Sequence, residues 1–275
     1  MTSRVLVNGA AQSAVSASDR GLLYGDGLFE TVLFVRGVAP LWMRHMQRLA
    51  RGCARLLMPA PDSRELAIEA PKVVEGMPRA VVRITLTRGS GARGYGLPEN
   101  ANPTRIVAAF NPPSVPLDWY RRGIRVRFGE LRLSTQPRLA GIKHLNRLEQ
   151  VLARAECNDP DIVEALLFDE GDRLISATAA NVFIANGGKL MTPSLDRCGV
   201  AGVAREEILT LHPEIEVREI GREEVMEADE ILLSSSVRGI LPVRELGGRG
   251  FAPGPFACAL QAHWRALGLL PGPEA

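Results

Sequence analysis

The sequence predicts an α+β protein built as two domains. Short strand-like runs cluster between scattered helical stretches, without the regular alternation that makes a parallel βαβ sheet. The segment Asn111-Pro112-Pro113-Ser114-Val115-Pro116 carries three prolines in five positions, which neither a helix interior nor a central strand accommodates. A length of 275 residues is enough for two modest domains. The expected division is a small N-terminal α/β domain over 1–111, a linker over 112–118 and a larger C-terminal domain over 119–275.

In chain order, Val5 to Val7 reads as a short strand stopped by the turn pair Asn8-Gly9. Leu28 to Val35 is a second strand, closed by Arg36-Gly37. Apolar residues at 46, 49, 50, 53, 56 and 57 recur at helical spacing, so Leu41 to Met58 is a helix that Pro59 ends. Ala80 to Thr87 and Arg105 to Phe110 are further strands. Beyond the linker, Ile124, Val126 and Phe128 alternate with arginines, as on a half-buried strand. Leu145, Leu148, Leu152 and Ala155 share one helical face. Glu164 to Asp169, Leu174 to Thr178, Asn181 to Ala185 and Leu190 to Pro193 are short strands, and 231–233 is another. Helices are expected at 202–211 and 254–267, and the terminal Pro271-Gly272-Pro273-Glu274-Ala275 is expected to fray.

Composition narrows the class. Hydrophobic residues make up 46% and charged residues 23%, an ordinary globular balance. The net charge of +2 gives no ground for nucleic acid or an anionic membrane as partner. Only three apolar residues follow Arg4, too few for a signal-peptide core, and no run of about 18 apolar residues predicts a membrane span. Cys53, Cys157, Cys198 and Cys258 form no CxxC pair and match no zinc spacing, so no metal is expected and the thiols read as free in a reducing cytoplasm.

Three lysines stand against 30 arginines. Lys189 follows the turn pair Gly187-Gly188, and Lys72 lies in a polar stretch. Lys143 follows Leu139-Ala140-Gly141-Ile142 where a loop or strand meets a helix. An apolar setting disfavours the ammonium and leaves a nucleophilic amine, as covalent carbonyl chemistry requires. A surface lysine with a buried stem fits the same residues. Cys198-Gly199-Val200-Ala201-Gly202-Val203-Ala204-Arg205 is a glycine-containing turn entering a helix, where unpaired amides can hold a phosphate; a plain helix entry is the alternative. Ser234-Ser235-Ser236 offers hydroxyls, and Arg48 shares a helix with His45. The loop Arg88-Gly89-Ser90-Gly91-Ala92-Arg93-Gly94-Tyr95-Gly96 joins a flexible backbone to two cations suited to an anionic substrate.

In this order the segments resemble the fold-type IV pyridoxal-phosphate enzymes, and within them the aminodeoxychorismate lyases. The resemblance runs through Val7-Asn8-Gly9, Ser18-Asp19-Arg20-Gly21, Tyr24 to Thr31, His45-Met46-Gln47-Arg48-Leu49 and the Arg88 loop. Gly141-Ile142-Lys143-His144-Leu145-Asn146-Arg147-Leu148-Glu149-Gln150 is its most diagnostic stretch. Ala179 to Phe183, Gly202 to Arg205 and Ala228-Asp229-Glu230 complete it. It implies a small α/β domain, a larger domain with a β-barrel-like core, and a homodimer with the site at the domain junction.

The resemblance also implies roles. Lys143 bonds the pyridoxal 5'-phosphate cofactor covalently and acts as base. Arg48, the amides of Val203 and Ala204, and the Ser236 hydroxyl bind its phosphate. Arg93 takes a substrate carboxylate, and Arg88, Asn146, Arg147 and Arg238 are further substrate contacts. The implied reaction releases pyruvate from 4-amino-4-deoxychorismate to give 4-aminobenzoate for folate biosynthesis. D-amino-acid or branched-chain aminotransferases of the same fold are the alternative, followed by a non-catalytic cofactor-binding relative. One departure stands out. Where the family places a glutamate against the pyridine nitrogen, this chain has Ser176. Serine supplies no charge there, so the cofactor becomes a weaker electron sink and elimination is favoured over transamination.

Overall fold

In the computed structural model, which describes residues 4–270, the chain starts with β1 (Val5–Val7) and a short helix α1 (Arg20–Tyr24). Asp19 caps α1, its Oδ1 accepting from the Gly21 amide at 2.8 Å, and Gly25 ends it in the left-handed region at φ 64°. A side chain at Gly25 would be strained there and would also collide with Asn146. β2 (Gly27–Val35), rich in β-branched and aromatic residues, leads to α2 (Trp42–Arg55) and α3 (Ser63–Val74). β3 (Arg79–Thr87) and β4 (Thr104–Phe110) complete an antiparallel sheet in the order β1-β4-β3-β2.

Sequence periodicity does not predict α3. Its polar surface and internal Pro71 hide the pattern, yet Leu66, Ala70 and Val73 repeat at spacings of four and three and are buried. Lys72 is exposed on this helix.

As an edge strand, β2 would present unpaired backbone groups. The Phe29 amide donates to the Lys143 carbonyl at 2.9 Å, and the Leu145 amide donates to the Gly27 carbonyl at 3.0 Å. Residues 142–146 therefore add a short extended segment to β2. The chain accordingly divides into one unit of Met1–Pro112 with Ile142–Asn146, and another of Pro113–Gly141 with Arg147–Ala275. The return of five residues to the first unit is absent from the sequence-based division. Within the expected linker, 112–116 is irregular, and a helix begins at Leu117.

The second unit runs α4 (Leu117–Arg122), β5 (Ile124–Leu133), α5 (Leu148–Ala155), β6 (Ile162–Asp169), β7 (Leu174–Ala177), β8 (Asn181–Asn186), β9 (Lys189–Pro193), α6 (Val203–Leu211), β10 (Glu216–Arg218), α7 (Arg222–Glu227), β11 (Glu230–Ser235), β12 (Gly239–Leu246), β13 (Arg249–Gly250) and α8 (Pro255–Ala266). Its mixed sheet has the order β10-β9-β8-β11-β12-β5-β6-β7, with β13 on β12. β7 and β8 are thus five places apart, which in a flat sheet means about 24 Å. Only residues 178–180 join them, a reach of at most about 14 Å. The sheet must curl, and the Ala177 amide meets the Ala180 carbonyl at 2.8 Å in the connecting turn. Ile124, Leu166, Val182, Ile231 and Leu241 belong to the core inside the curl. The mixed sheet with its scattered helices makes the fold α+β.

The apolar face expected around 145–155 differs from the structure. Leu145 is extended against β2, before the helix, while Leu148 and Leu152 are exposed; Ala153 is the buried residue of α5. The expected fraying at 271–275 lies outside the described residues. Among the described residues no helix is long and apolar enough to cross a membrane. The four cysteines are free, and burial pushes the Cys53 and Cys198 thiols up to about 11, so both are poor nucleophiles.

Candidate active site

In the first unit, the stitching of Lys143 to β2 puts its side chain beside Phe29. The Nζ lies 4.3 Å from the centre of the Phe29 ring, and the guanidinium carbon of Arg83 lies 4.1 Å from the same centre. Aromatic faces attract cations, so one ring holds two of them. Burial lowers the Arg83 pKa, and its Nε donates to Thr85 Oγ1 at 3.3 Å. The sequence reading missed Arg83. Its signal is an arginine interrupting the apolar run Val81-Val82-Arg83-Ile84 on β3.

Next to Phe29, Glu30 is buried and faces two residues one turn apart on α2. Its Oε2 receives His45 Nδ1 at 2.6 Å and Arg48 Nη2 at 2.5 Å, and its Oε1 receives Arg48 Nε at 2.8 Å. Burial pushes the Glu30 carboxyl up, but the Arg48 charge and the hydrogen bonds from Arg48 and His45 outweigh it and hold the carboxyl at about 2. His45 is lowered, first by its burial and then by the charges of Arg48 and Lys143, against the opposing pull of Glu30. The imidazole is therefore neutral at pH 7. Arg48, expected at the cofactor phosphate, is held in this buried network.

A second, partly buried network fixes the loop after β3. Arg88 donates from Nε and Nη2 to Asp26 at 2.7 and 3.0 Å, and from Nη1 and Nη2 to the Leu57 and Leu56 carbonyls at 2.9 and 2.8 Å. Arg20 Nε shares Asp26, while its Nη1 donates to the Gly94 carbonyl at 3.0 Å. The Asp26 carboxyl is pushed up by burial but ends lowered, because the bonds and charges of Arg88 and Arg20 outweigh it. Arg88, expected to meet substrate, is thus buried and tied to its own unit. Arg93 is exposed on the same loop. Asn146 Nδ2 donates to the Gly25 carbonyl at 3.1 Å.

The second unit offers neutral donors. α6 starts at Val203 after Gly202, with no side-chain cap, so the Val203 and Ala204 amides lie in the turn that has no intrahelical acceptors. A Cβ at Gly202 would collide with Asn181 Oδ1; Asn181 Nδ2 donates to the Val200 carbonyl at 2.9 Å. Ser234 sits opposite Asn181 in the β11–β8 ladder, and its buried Oγ has no hydrogen-bond partner among the described residues. Ser236 is half-buried just beyond β11.

Arg238, expected to meet substrate, is engaged within its own unit. Its guanidinium pairs with buried Glu164, whose Oε2 accepts from the Ala179 amide at 3.2 Å. Ser176 is buried on β7 opposite Leu167. Glu164 thus anchors the run that follows Ser176. Arg147 precedes α5, and burial lowers its pKa. Among the described residues no cluster of His, Cys, Asp or Glu can hold a metal. A surface groove of about 630 Å³ around Arg36, Lys72 and Met77 contains none of the predicted site residues.

The family model of class IV amino-transferases matches residues 27–246, from the start of β2 to the end of β12. The chain belongs to this family. As a class IV chain it is 35% identical over 241 residues to an aminodeoxychorismate lyase of Vibrio harveyi, covering 86% of this chain and 89% of that one. It superimposes on the crystal structure of 4-amino-4-deoxychorismate lyase from Pseudomonas aeruginosa with a TM-score of 0.91 and 39% identity, over 95% of this chain and 98% of the other. A hypothetical aminotransferase from Mycobacterium tuberculosis, in its PLP-bound form, shares the fold at a TM-score of 0.82 and 20% identity, over 96% and 98% of the two chains.

Proposed function

We propose that this protein is a pyridoxal-phosphate-dependent 4-amino-4-deoxychorismate lyase, eliminating pyruvate to leave 4-aminobenzoate. The observation that carries the reading is Lys143. Its main chain is bonded to β2 and its amine rests on Phe29, in a chain similar over most of its length to a lyase named for this reaction.

The residues fit the cofactor. The amides at the start of α6 suit a phosphate dianion, and the orphaned Ser234 hydroxyl beside Asn181 is a donor without an acceptor. Lys143 is the attachment point; Arg48, Val203, Ala204 and Ser236 are the phosphate ligands. When bound, pyridoxal phosphate supplies a conjugated ring that draws electrons from the substrate. Lys143 takes the ring proton beside the substrate nitrogen. Arg93 and Arg83 are matched to the two substrate carboxylates, with Asn146 and Arg147 as further contacts. Ser176 offers a hydroxyl where a carboxylate would hold the pyridinium, which keeps the electron sink weak and suits a reaction driven by aromatisation.

We read the working form as a cytoplasmic homodimer. Unpaired cysteines support a reducing compartment, and α5 exposes Leu148, Val151 and Leu152 as a patch for a second copy; a solution mass near 29.8 kDa would refute the dimer.

The test is to supply aminodeoxychorismate and measure 4-aminobenzoate. Lys143→Ala is expected to lower turnover by about a thousandfold or more, since it removes both the covalent attachment and the base. Borohydride reduction should leave the pyridoxyl label on Lys143; a label elsewhere, or none, overturns the reading. Transamination of D-alanine with 2-oxoglutarate, in place of 4-aminobenzoate release, would favour the aminotransferase alternative.

A further inference from the structure

The buried Glu30–His45–Arg48 cluster has no part in the proton chemistry just described, yet it places three ionisable side chains next to the lysine strand. The geometry points to Glu30 as a positioning residue that orients Arg48 toward the cofactor phosphate and holds its charge in place between cofactor-loading events. The inference rests on the reading that Arg48 binds that phosphate.

Three observations carry it. First, the pair is side-on and two-pronged: Arg48 Nε and Nη2 meet the two Glu30 oxygens at 2.8 and 2.5 Å. Two bonds fix the guanidinium plane, where one would leave it free to rotate. Second, both partners are buried, with Glu30 at 1% and Arg48 at 6% exposure. A guanidinium this deep without a counter-ion would be displaced toward water. Third, Glu30 is itself pinned. His45 Nδ1 meets Oε2 at 2.6 Å from one turn earlier on α2, and the carboxylate projects from β2 next to the residue bonded to Lys143. The carboxylate therefore ties the orientation of Arg48 to the strand that carries the lysine.

Simple electrostatics makes the opposite prediction, since a carboxylate beside a phosphate-binding arginine should weaken phosphate affinity. The two effects separate when pyridoxal phosphate is compared with pyridoxal, which has the same aldehyde and no phosphate. The experiment measures both affinities on the apoprotein by absorbance titration, for the parent, Glu30→Gln, Arg48→Met and the double variant. Glu30→Gln should weaken pyridoxal phosphate by roughly tenfold or more and leave pyridoxal within about twofold, because only the phosphate contact depends on guanidinium geometry. In the Arg48→Met background, Glu30→Gln should add nothing to the difference between the two ligands.

Equal weakening of both ligands by Glu30→Gln, no change in either, or tighter phosphate binding overturns the inference. If Arg48→Met leaves the preference for the phosphorylated ligand intact, the reading of Arg48 falls and the inference with it. If Arg48→Met abolishes that preference and Glu30→Gln does not, the inference alone falls. Should Glu30→Gln fail to fold, Glu30→Asp keeps the charge but is one methylene too short for both bonds, and an intermediate loss of the same preference is expected. An unchanged preference in that variant also overturns the inference.

Discussion

The two units hold their candidate site residues by different physics. The first uses full charges, buried in Glu30 with Arg48 and partly buried in Asp26 with Arg20 and Arg88. The second uses dipoles: the open amides at the start of α6 and the hydroxyls of Ser234 and Ser236. Charges buried in a fold must be neutralised by the fold itself, since desolvation costs several kcal/mol per ion. Amides and hydroxyls carry a smaller penalty and can wait for a ligand. The first unit should therefore be the more sensitive to substitution and acid, and the second the more tolerant.

The largest expected effect is at Arg88. Arg88→Met leaves Asp26 with Arg20 alone and strips donors from the Leu56 and Leu57 carbonyls. A loss of roughly 3 kcal/mol is expected in urea unfolding, the range for breaking a buried pair. A loss below about 1 kcal/mol would mean that the buried charges carry no special weight.

Acid comes next. Glu30 is held at about 2 against an ordinary 4.5, so the folded state favours the ionised form. Its contribution is fully present above pH 4.5 and disappears as pH falls toward 2. The difference is on the order of 3 kcal/mol. His45, lowered below its usual value, works in the same direction: the unfolded chain binds the proton first, so stability falls as pH drops below 6.5. Unfolding free energy followed from pH 7 to pH 2 should be steeper for the parent than for Glu30→Gln. Parallel curves would contradict the assignment.

The smallest effect belongs to the second unit. Ser234→Ala removes a buried hydroxyl that has no partner, so thermal unfolding of the apoprotein should change by less than about 0.5 kcal/mol or shift toward greater stability. A loss of about 1.5 kcal/mol or more would show that the hydroxyl already serves the fold, and the contrast between the units would narrow.

Candidate site residues were legible where local chemistry marks them in sequence. Lys143 stood out by its rarity and apolar approach, and the glycine turn before α6 by the residues a helix start needs. Strands such as Leu28 to Val35 were legible from β-branched runs. Contacts that join distant segments left no such trace. Arg88 and Asp26 are 62 positions apart, and nothing local tells a loop cation that meets substrate from one that staples a turn. The pairing of Arg238 with Glu164 spans 74 positions and is equally silent. Arg83 was hidden for another reason: on a strand, an arginine among apolar residues reads as the solvent side of the alternation. The position of Ile142–Asn146 with the first unit follows from an unsatisfied strand edge, which only the sheet order reveals.

That strand edge has a mechanical consequence for Lys143. With its carbonyl fastened to the Phe29 amide and the Leu145 amide fastened to the Gly27 carbonyl, the backbone that leaves Lys143 is moored to β2. In the proposed chemistry, the reach of the amine is then set by rotations about the single bonds of its side chain above a backbone held on β2.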